Sequence, residues 1–271
     1  MPKGKERKHP MKIIVSRDAE ELGLNSAEYT AKAINEAIAD HGEARIVLST
    51  GASQFPMFKN IINLDVDWSK VTMFHLDEYV GLPETHIASF RKYLKERFVS
   101  KVNLKAAHFV DGTPEGIANL TKELRSAPID IGLIGIGENA HIAFNDPPAD
   151  FDTKDAYIIV NHNETCKKQQ VGEGWFPTID DVPKQAVSMT VYQILQCKKI
   201  ISIVPHAVKA NAVKITLENE ISNKIPAPTM KAHPDFTLFV DANSYSAVDE
   251  SKILPLGGQD CEIVKKIPCA K

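Results

Sequence analysis

Near the middle of the chain, Ile129-Asp-Ile-Gly-Leu-Ile-Gly-Ile136 is almost continuously apolar. Successive strand residues point to opposite faces, so a run without alternation is buried on both. That is the mark of a central strand in a parallel sheet, with helices packed on each side.

The rest of the sequence agrees with such a sheet, because its apolar period switches repeatedly between strand and helix. Strands are predicted at Met11–Ser16, Ala44–Leu48, Val71–Leu76, Ala156–Val160, Lys199–Val204 and Phe236–Val240. Between them the three-to-four spacing predicts helices over Ala19–Ala39, Phe55–Leu64, Ser89–Phe98, Pro114–Ser126, Val191–Cys197 and Ala207–Leu217. His41-Gly42 is a stop signal for the first helix, and Pro114 suits the first turn of its own. The expected fold is a single doubly wound α/β domain of Rossmann-like type, with a mostly parallel sheet and helices on both faces. No internal repeat, low-complexity stretch or long linker divides it, so the domain is expected to occupy 11–271, behind a short disordered extension at 1–10.

Composition narrows the function. Hydrophobic residues are 43% of the 271 and charged residues 25%, which excludes a disordered chain, a collagen-like repeat and a coiled coil. No apolar run approaches the roughly 20 residues of a membrane helix, and the basic residues of 1–10 lead into no apolar segment of a secretory signal. The net charge of -3, with no basic stripe and only two Trp and six Tyr, argues against nucleic-acid binding. Cys166, Cys197, Cys261 and Cys269 lack the close pairing of a zinc site, and nine scattered His show no ligand spacing, so no metal is expected. The thiols read as reduced, in a cytoplasmic protein.

Ligands of open α/β sheets bind beyond the carboxyl ends of the strands, which directs attention to four loops. Ser49-Thr50-Gly51-Ala52-Ser53 runs into a helix, and small hydroxylated turns at helix starts cradle anions, although Ser53 is equally suited to capping that helix. Asp77-Glu78 follows the next strand. Adjacent carboxylates point apart, so one faces a cleft, where desolvation would raise its pKa and make it a general base; a solvated acidic turn is the plainer reading. After the central strand, Gly137-Glu138-Asn139-Ala140-His141 sets an imidazole in a glycine-rich loop with Asn139 before it and Asp146 after, an arrangement that fits a proton shuttle. Lys209 lies in the first turn after Pro205-His206, within reach of a bound phosphate.

Taken together, Leu48-Ser-Thr-Gly-Ala-Ser53, Leu76-Asp-Glu-Tyr-Val-Gly-Leu82, Gly135-Ile-Gly-Glu-Asn-Ala-His-Ile-Ala-Phe-Asn-Asp-Pro147 and Asp181-Val-Pro-Lys-Gln-Ala186 resemble the glucosamine-6-phosphate deaminase family, within a superfamily that includes 6-phosphogluconolactonases. The motifs stand in the family's order, and the likeness spans nearly all of Met11 to Asp241. The resemblance implies conversion of glucosamine 6-phosphate to fructose 6-phosphate and ammonia in amino-sugar breakdown, without a cofactor. Asp77 would move a proton from C2 to C1, and His141, supported by Asn139 and Asp146, would assist ring opening. Thr50, Gly51, Ala52, Ser53, Glu78 and Lys209 would bind substrate. Family precedent also implies association into a homo-oligomer.

Departures from the family pattern accompany this. Asp146 replaces a usual Glu, and one methylene less sets its carboxylate too far from His141 to pair directly. Ala140 replaces a usual Gly, and Ala52-Ser53 a usual Gly-Thr. Gln170 falls where an Arg normally meets the phosphate, leaving Lys167 or Lys168 to compensate. Competing readings are an isomerase or lactonase on another sugar phosphate, such as galactosamine 6-phosphate or 6-phosphogluconolactone, and a non-catalytic sugar-phosphate sensor.

Overall fold

A computed structural model describes residues 11–162, 164–172, 174–254 and 261–266. The extension expected at 1–10, and Cys269, lie outside the described residues. In chain order the elements are β1 (Met11–Ser16), α1 (Ala19–His41), β2 (Ala44–Leu48), α2 (Phe55–Ile61), β3 (Val71–His75), β4 (Asp77–Tyr79), α3 (Phe90–Arg97), β5 (Ala106–His108) and α4 (Pro114–Arg125). They continue with β6 (Ile131–Leu133), β7 (Tyr157–Asn161), α5 (Glu164–Gly172), β8 (Gln185–Met189), α6 (Val191–Ile194), β9 (Lys199–Val204), α7 (Ala210–Glu218), β10 (Phe236–Asp241), α8 (Ala242–Tyr245) and β11 (Cys261–Lys265).

Eight strands form one sheet in the order β11-β1-β10-β9-β6-β2-β3-β5, and every pairing in it is parallel. Its residues alternate between two hydrophobic cores. Ile13, Val47, Phe74 and Leu238 face one side with Leu120 of α4, Ile194 of α6 and Val213 of α7. Ile14, Ile46, Met73 and Phe239 face the other with Leu22 of α1, Phe58 of α2 and Leu94 of α3. Helix α1 starts where Asp18 accepts a hydrogen bond from the Glu21 N–H and stops at Gly42, whose φ of +86° is free for a residue without Cβ.

The chain reverses direction between β2 and β6. From β2 it steps outward through β3 to β5, and from β6 it steps the opposite way through β9 to β10. A crevice opens at such a switch point, above the carboxyl ends of the two strands.

The paired part of the central strand is shorter than the apolar run. Hydrogen bonds reach one residue past each end, at Asp130 N–H to Arg45 and Ile134 N–H to Ile201. The Asp130 carboxylate then turns aside to the Arg45 N–H and Lys198. A larger correction concerns β7, expected among the parallel strands. It pairs antiparallel with β8, and β8 pairs antiparallel with β4, making a separate three-stranded sheet. A third apolar cluster around Tyr79, Phe144, Phe176 and Ala186 stitches that annex to α3 and α5.

Candidate active site

The crevice above β2 and β6 holds a cleft of about 770 Å³. Thr50, Gly51, Ala52, Ser53, Asp77, Asn139, His141 and Lys209 all line it. Four loops separated by up to 159 positions in the chain therefore converge as anticipated.

The loop after β2 is tied to β6 by the Ser49 N–H, which donates to the Leu133 carbonyl at 3.0 Å. Gly51 then takes φ +99°, ψ 162°, a conformation only glycine enters readily. Ser53 does not cap α2. Gln54 occupies that position and makes no side-chain cap, its amide instead donating to the Ile203 carbonyl at 3.2 Å. The Ser49 hydroxyl, at the cleft wall, is buried without a hydrogen-bond partner among the described residues. Lys209, only 7% exposed, shares the wall and brings the positive charge that suits this loop to an anion.

The loop after β6 winds tightly. The Gly137 N–H donates to the His141 carbonyl and the Ala140 N–H returns to the Gly137 carbonyl, both at 2.9 Å. Ala140 and Ala143 sit at φ +60° and +50°, the left-handed region in which an L side chain costs about 1–2 kcal/mol. That explains why glycine is usual at 140. At Gly137 any Cβ would lie 2.1 Å from the His141 ring, so the imidazole rests directly on backbone. Asn139 Oδ1 stands 2.5 Å from His141 Nδ1, and Asp146 Oδ1 stands 3.2 Å from the same nitrogen. The expectation that Asp146 is too short to reach His141 is therefore corrected: the tight loop brings the carboxylate in. Two oxygens against Nδ1 hold a proton there, so Nε2 is the nitrogen left to exchange a proton with a ligand. Burial works against the charge of Asp146, yet hydrogen bonds from His141, Asn139 and Cys166 and the charge of His141 outweigh it and hold the carboxyl below its ordinary range. Asp146 stands behind His141 rather than on the cleft wall.

Asp77 and Glu78 point apart, as neighbours in a strand must. Asp77 is 6% exposed on the cleft wall, and burial, reinforced by the charge of Glu78, pushes its carboxyl up to about 8. Glu78 does not line the cleft, contrary to its expected place beside substrate. It is wholly buried and anchors the start of α3, accepting from Ser89 Oγ at 3.1 Å, the Arg91 N–H at 2.8 Å and Arg91 Nε at 3.3 Å.

The annex supplies the rest of the wall. Tyr79 packs against Phe90, Phe144, His162 and Phe176, and its hydroxyl donates to Gln170 Oε1 at 2.7 Å. Gln170 lines the cleft with its side chain thus held, and Lys168, not Lys167, joins it at the rim. Burial lowers His162 to about 4, so its ring is neutral at pH 7. Phe90, Phe144, Trp175 and His206 also line the cleft and were not anticipated as site residues. His206 carried one local signal, its place right after β9; the aromatic residues arrive from α3, the far part of the β6 loop and the turn after α5, where sequence spacing says nothing of the cleft. Among the described residues no helix is long and apolar enough to cross a membrane.

Comparison with known proteins agrees with this geometry. Residues 17–238 match the family model described as glucosamine-6-phosphate isomerases/6-phosphogluconolactonase. A glucosamine-6-phosphate deaminase of Thermoanaerobacter pseudethanolicus is 30% identical over 256 residues, covering 90% of this chain and 97% of its own. The corresponding Clostridium acetobutylicum protein is 32% identical, covering 85% and 97%. Among solved structures, a monomeric glucosamine-6-phosphate deaminase superposes with a TM-score of 0.78 at 29% identity, over 86% of this chain and 99% of its own. A 6-phosphogluconolactonase of Trypanosoma brucei shares the fold at 15% identity, with a TM-score of 0.72 over 91% of this chain and 100% of its own. With the family model matching residues 17–238 and a deaminase relative 30% identical over most of both chains, the chain belongs to the glucosamine-6-phosphate isomerase/6-phosphogluconolactonase family.

Proposed function

We propose that the protein converts glucosamine 6-phosphate to fructose 6-phosphate and ammonia, as a cytoplasmic enzyme of amino-sugar breakdown. The observation that carries this reading is the convergence in one cleft of a desolvated carboxylate, an oriented imidazole and a cationic anion cradle.

The phosphate lies on the Gly51–Ser53 loop and Lys209, with Lys168 contributing from the rim in place of the Arg that the family resemblance sets at Gln170. This fixes the distance from the phosphate to the sugar's reactive end. His141 Nε2 takes the proton of the O1 hydroxyl and returns it to the ring oxygen, opening the sugar to its aldehyde. Asp146 and Asn139 stabilise the imidazolium that exists between the two transfers. Asp77 then takes the proton from C2 while the substrate ammonium passes one proton to O1, giving an enol amine, and return of the Asp77 proton to C1 leaves a protonated C2 imine. Water adds to the imine carbon, the nitrogen departs as ammonia, and the C2 ketone of fructose 6-phosphate remains.

The raised pKa of Asp77 is compatible with this role. The ammonium of glucosamine 6-phosphate is borne on the carbon to be deprotonated, so it brings a positive charge beside the carboxylate and favours the ionised base once substrate is bound. A lactonase needs no such C2 base. Ammonia release from glucosamine 6-phosphate, compared between wild type and Asp77→Asn, tests the reading. Release that disappears in the variant is expected; a folded wild type releasing none contradicts it.

A further inference from the structure

Behind His141, three side chains of different chemistry meet outside the set that lines the cleft. Asp146 arrives from the β6 loop, His162 from the residue after β7, and Cys166 from the first turn of α5. Each offers one ligand atom, and these atoms all lie within 4.8 Å of one another. His162 Nδ1 stands 3.4 Å from Cys166 Sγ. A tetrahedral zinc ion, with bonds of about 2.0 Å to nitrogen and 2.3 Å to sulfur, holds two such ligands roughly 3.5 Å apart. His162 Nε2 is buried with no hydrogen-bond partner among the described residues. The imidazole therefore answers to the cluster through Nδ1 and is fixed by no other hydrogen bond.

We propose that Asp146, His162 and Cys166 form a site for a thiophilic divalent cation of the zinc type, and that filling it silences the neighbouring His141. Thiolate, imidazole and carboxylate together are a donor set that zinc accepts and that calcium or magnesium does not. On binding, the Cys166 thiol gives up its proton to solvent and a sulfur–metal bond forms. Asp146, 3.2 Å from His141 Nδ1, then turns its oxygen to the cation and no longer holds the imidazole in its orientation. The silencing half rests on the role proposed for His141, whereas the binding half does not.

The test uses chelator-stripped full-length protein titrated with Zn²⁺ alone by calorimetry, and with Co²⁺ followed by absorption. One tight equivalent, a thiolate-to-cobalt charge-transfer band and a fall in ammonia release of about tenfold or more, reversed by EDTA, are expected. Cys166→Ser and His162→Gln are expected to lose the equivalent, and whatever ammonia release each retains no longer falls when Zn²⁺ is added. Equal stoichiometry in both variants and wild type overturns the site. If the variants do not fold, a wild-type cobalt spectrum without the thiolate band overturns it alone. Binding that leaves an active enzyme's ammonia release unchanged overturns the switch and leaves the site standing.

Discussion

The eight-stranded sheet and the three-stranded annex contribute to the same cleft by different means. The sheet presents loops at its carboxyl edge, and these carry the imidazole and the anion cradle on backbone fixed by strand pairing, as where Ser49 is bonded to Leu133. The annex presents side chains held by aromatic packing and single hydrogen bonds, as where Tyr79 holds Gln170. Asp77 sits at the seam. Leu76 still donates to Leu48 of the main sheet, and Asp77, one residue later, pairs with Ser188 of the annex. On the proposed mechanism the sheet edge fixes the reacting groups and the annex sets what lies around the substrate, with Asp77 belonging to both.

That division predicts which kinetic constant each region controls. His141→Gln, at the sheet edge, is expected to lower kcat by about a hundredfold with little change in KM, the usual scale for losing a general acid–base group. Steady-state kinetics on glucosamine 6-phosphate measure it, and a change confined to KM breaks the comparison.

The pH dependence of the seam comes next. Asp77 must be ionised to accept the C2 proton, and burial holds its carboxyl at about 8. Below that value kcat/KM is expected to fall by about tenfold per pH unit. The stability effect has the opposite sense. A carboxyl raised from 3.8 to about 8 leaves the unfolded chain ionised while the folded chain stays protonated, so folding loses stability as pH climbs through that window. Thermal unfolding of Asp77→Asn, which has no such group, is expected to gain on wild type from pH 4 to pH 8 and then run parallel.

The smallest effect falls in the annex. Gln170→Ala removes a side chain held by one hydrogen bond worth about 1 kcal/mol, and is expected to raise KM about fivefold at unchanged kcat. An equal loss in kcat would merge the two regions into one.

Legibility in the sequence followed the same line. Six of the eight parallel strands were readable because burial on both faces leaves apolar runs, as in Lys199–Val204 and Phe236–Val240, whereas the short edge strands β5 and β11, only partly buried, gave no such run. The annex was not readable either. β4 is three residues within what reads as an acidic turn, and β8 buries Ser188 beside Ala186 and Val187, so neither shows a clean period. Antiparallel partners such as Asp77 and Ser188 lie 111 positions apart, with no local mark of their pairing. For the same reason β7 was assigned to the wrong sheet. Glu78 was misplaced because sequence shows that two adjacent carboxylates diverge but not which one meets Ser89 and Arg91. Asp146 was judged by side-chain length alone, and the left-handed turn at Ala140 that shortens the path to His141 carries no signal when glycine is absent.

The central claim is that one carboxylate, Asp77, carries the proton from C2 to C1. Turnover of glucosamine 6-phosphate in heavy water, with the fructose 6-phosphate analysed by NMR, tests it most directly. The account predicts deuterium on C1 of the product from wild type and no turnover by Asp77→Asn. Product from the variant with deuterium still entering C1 would contradict it.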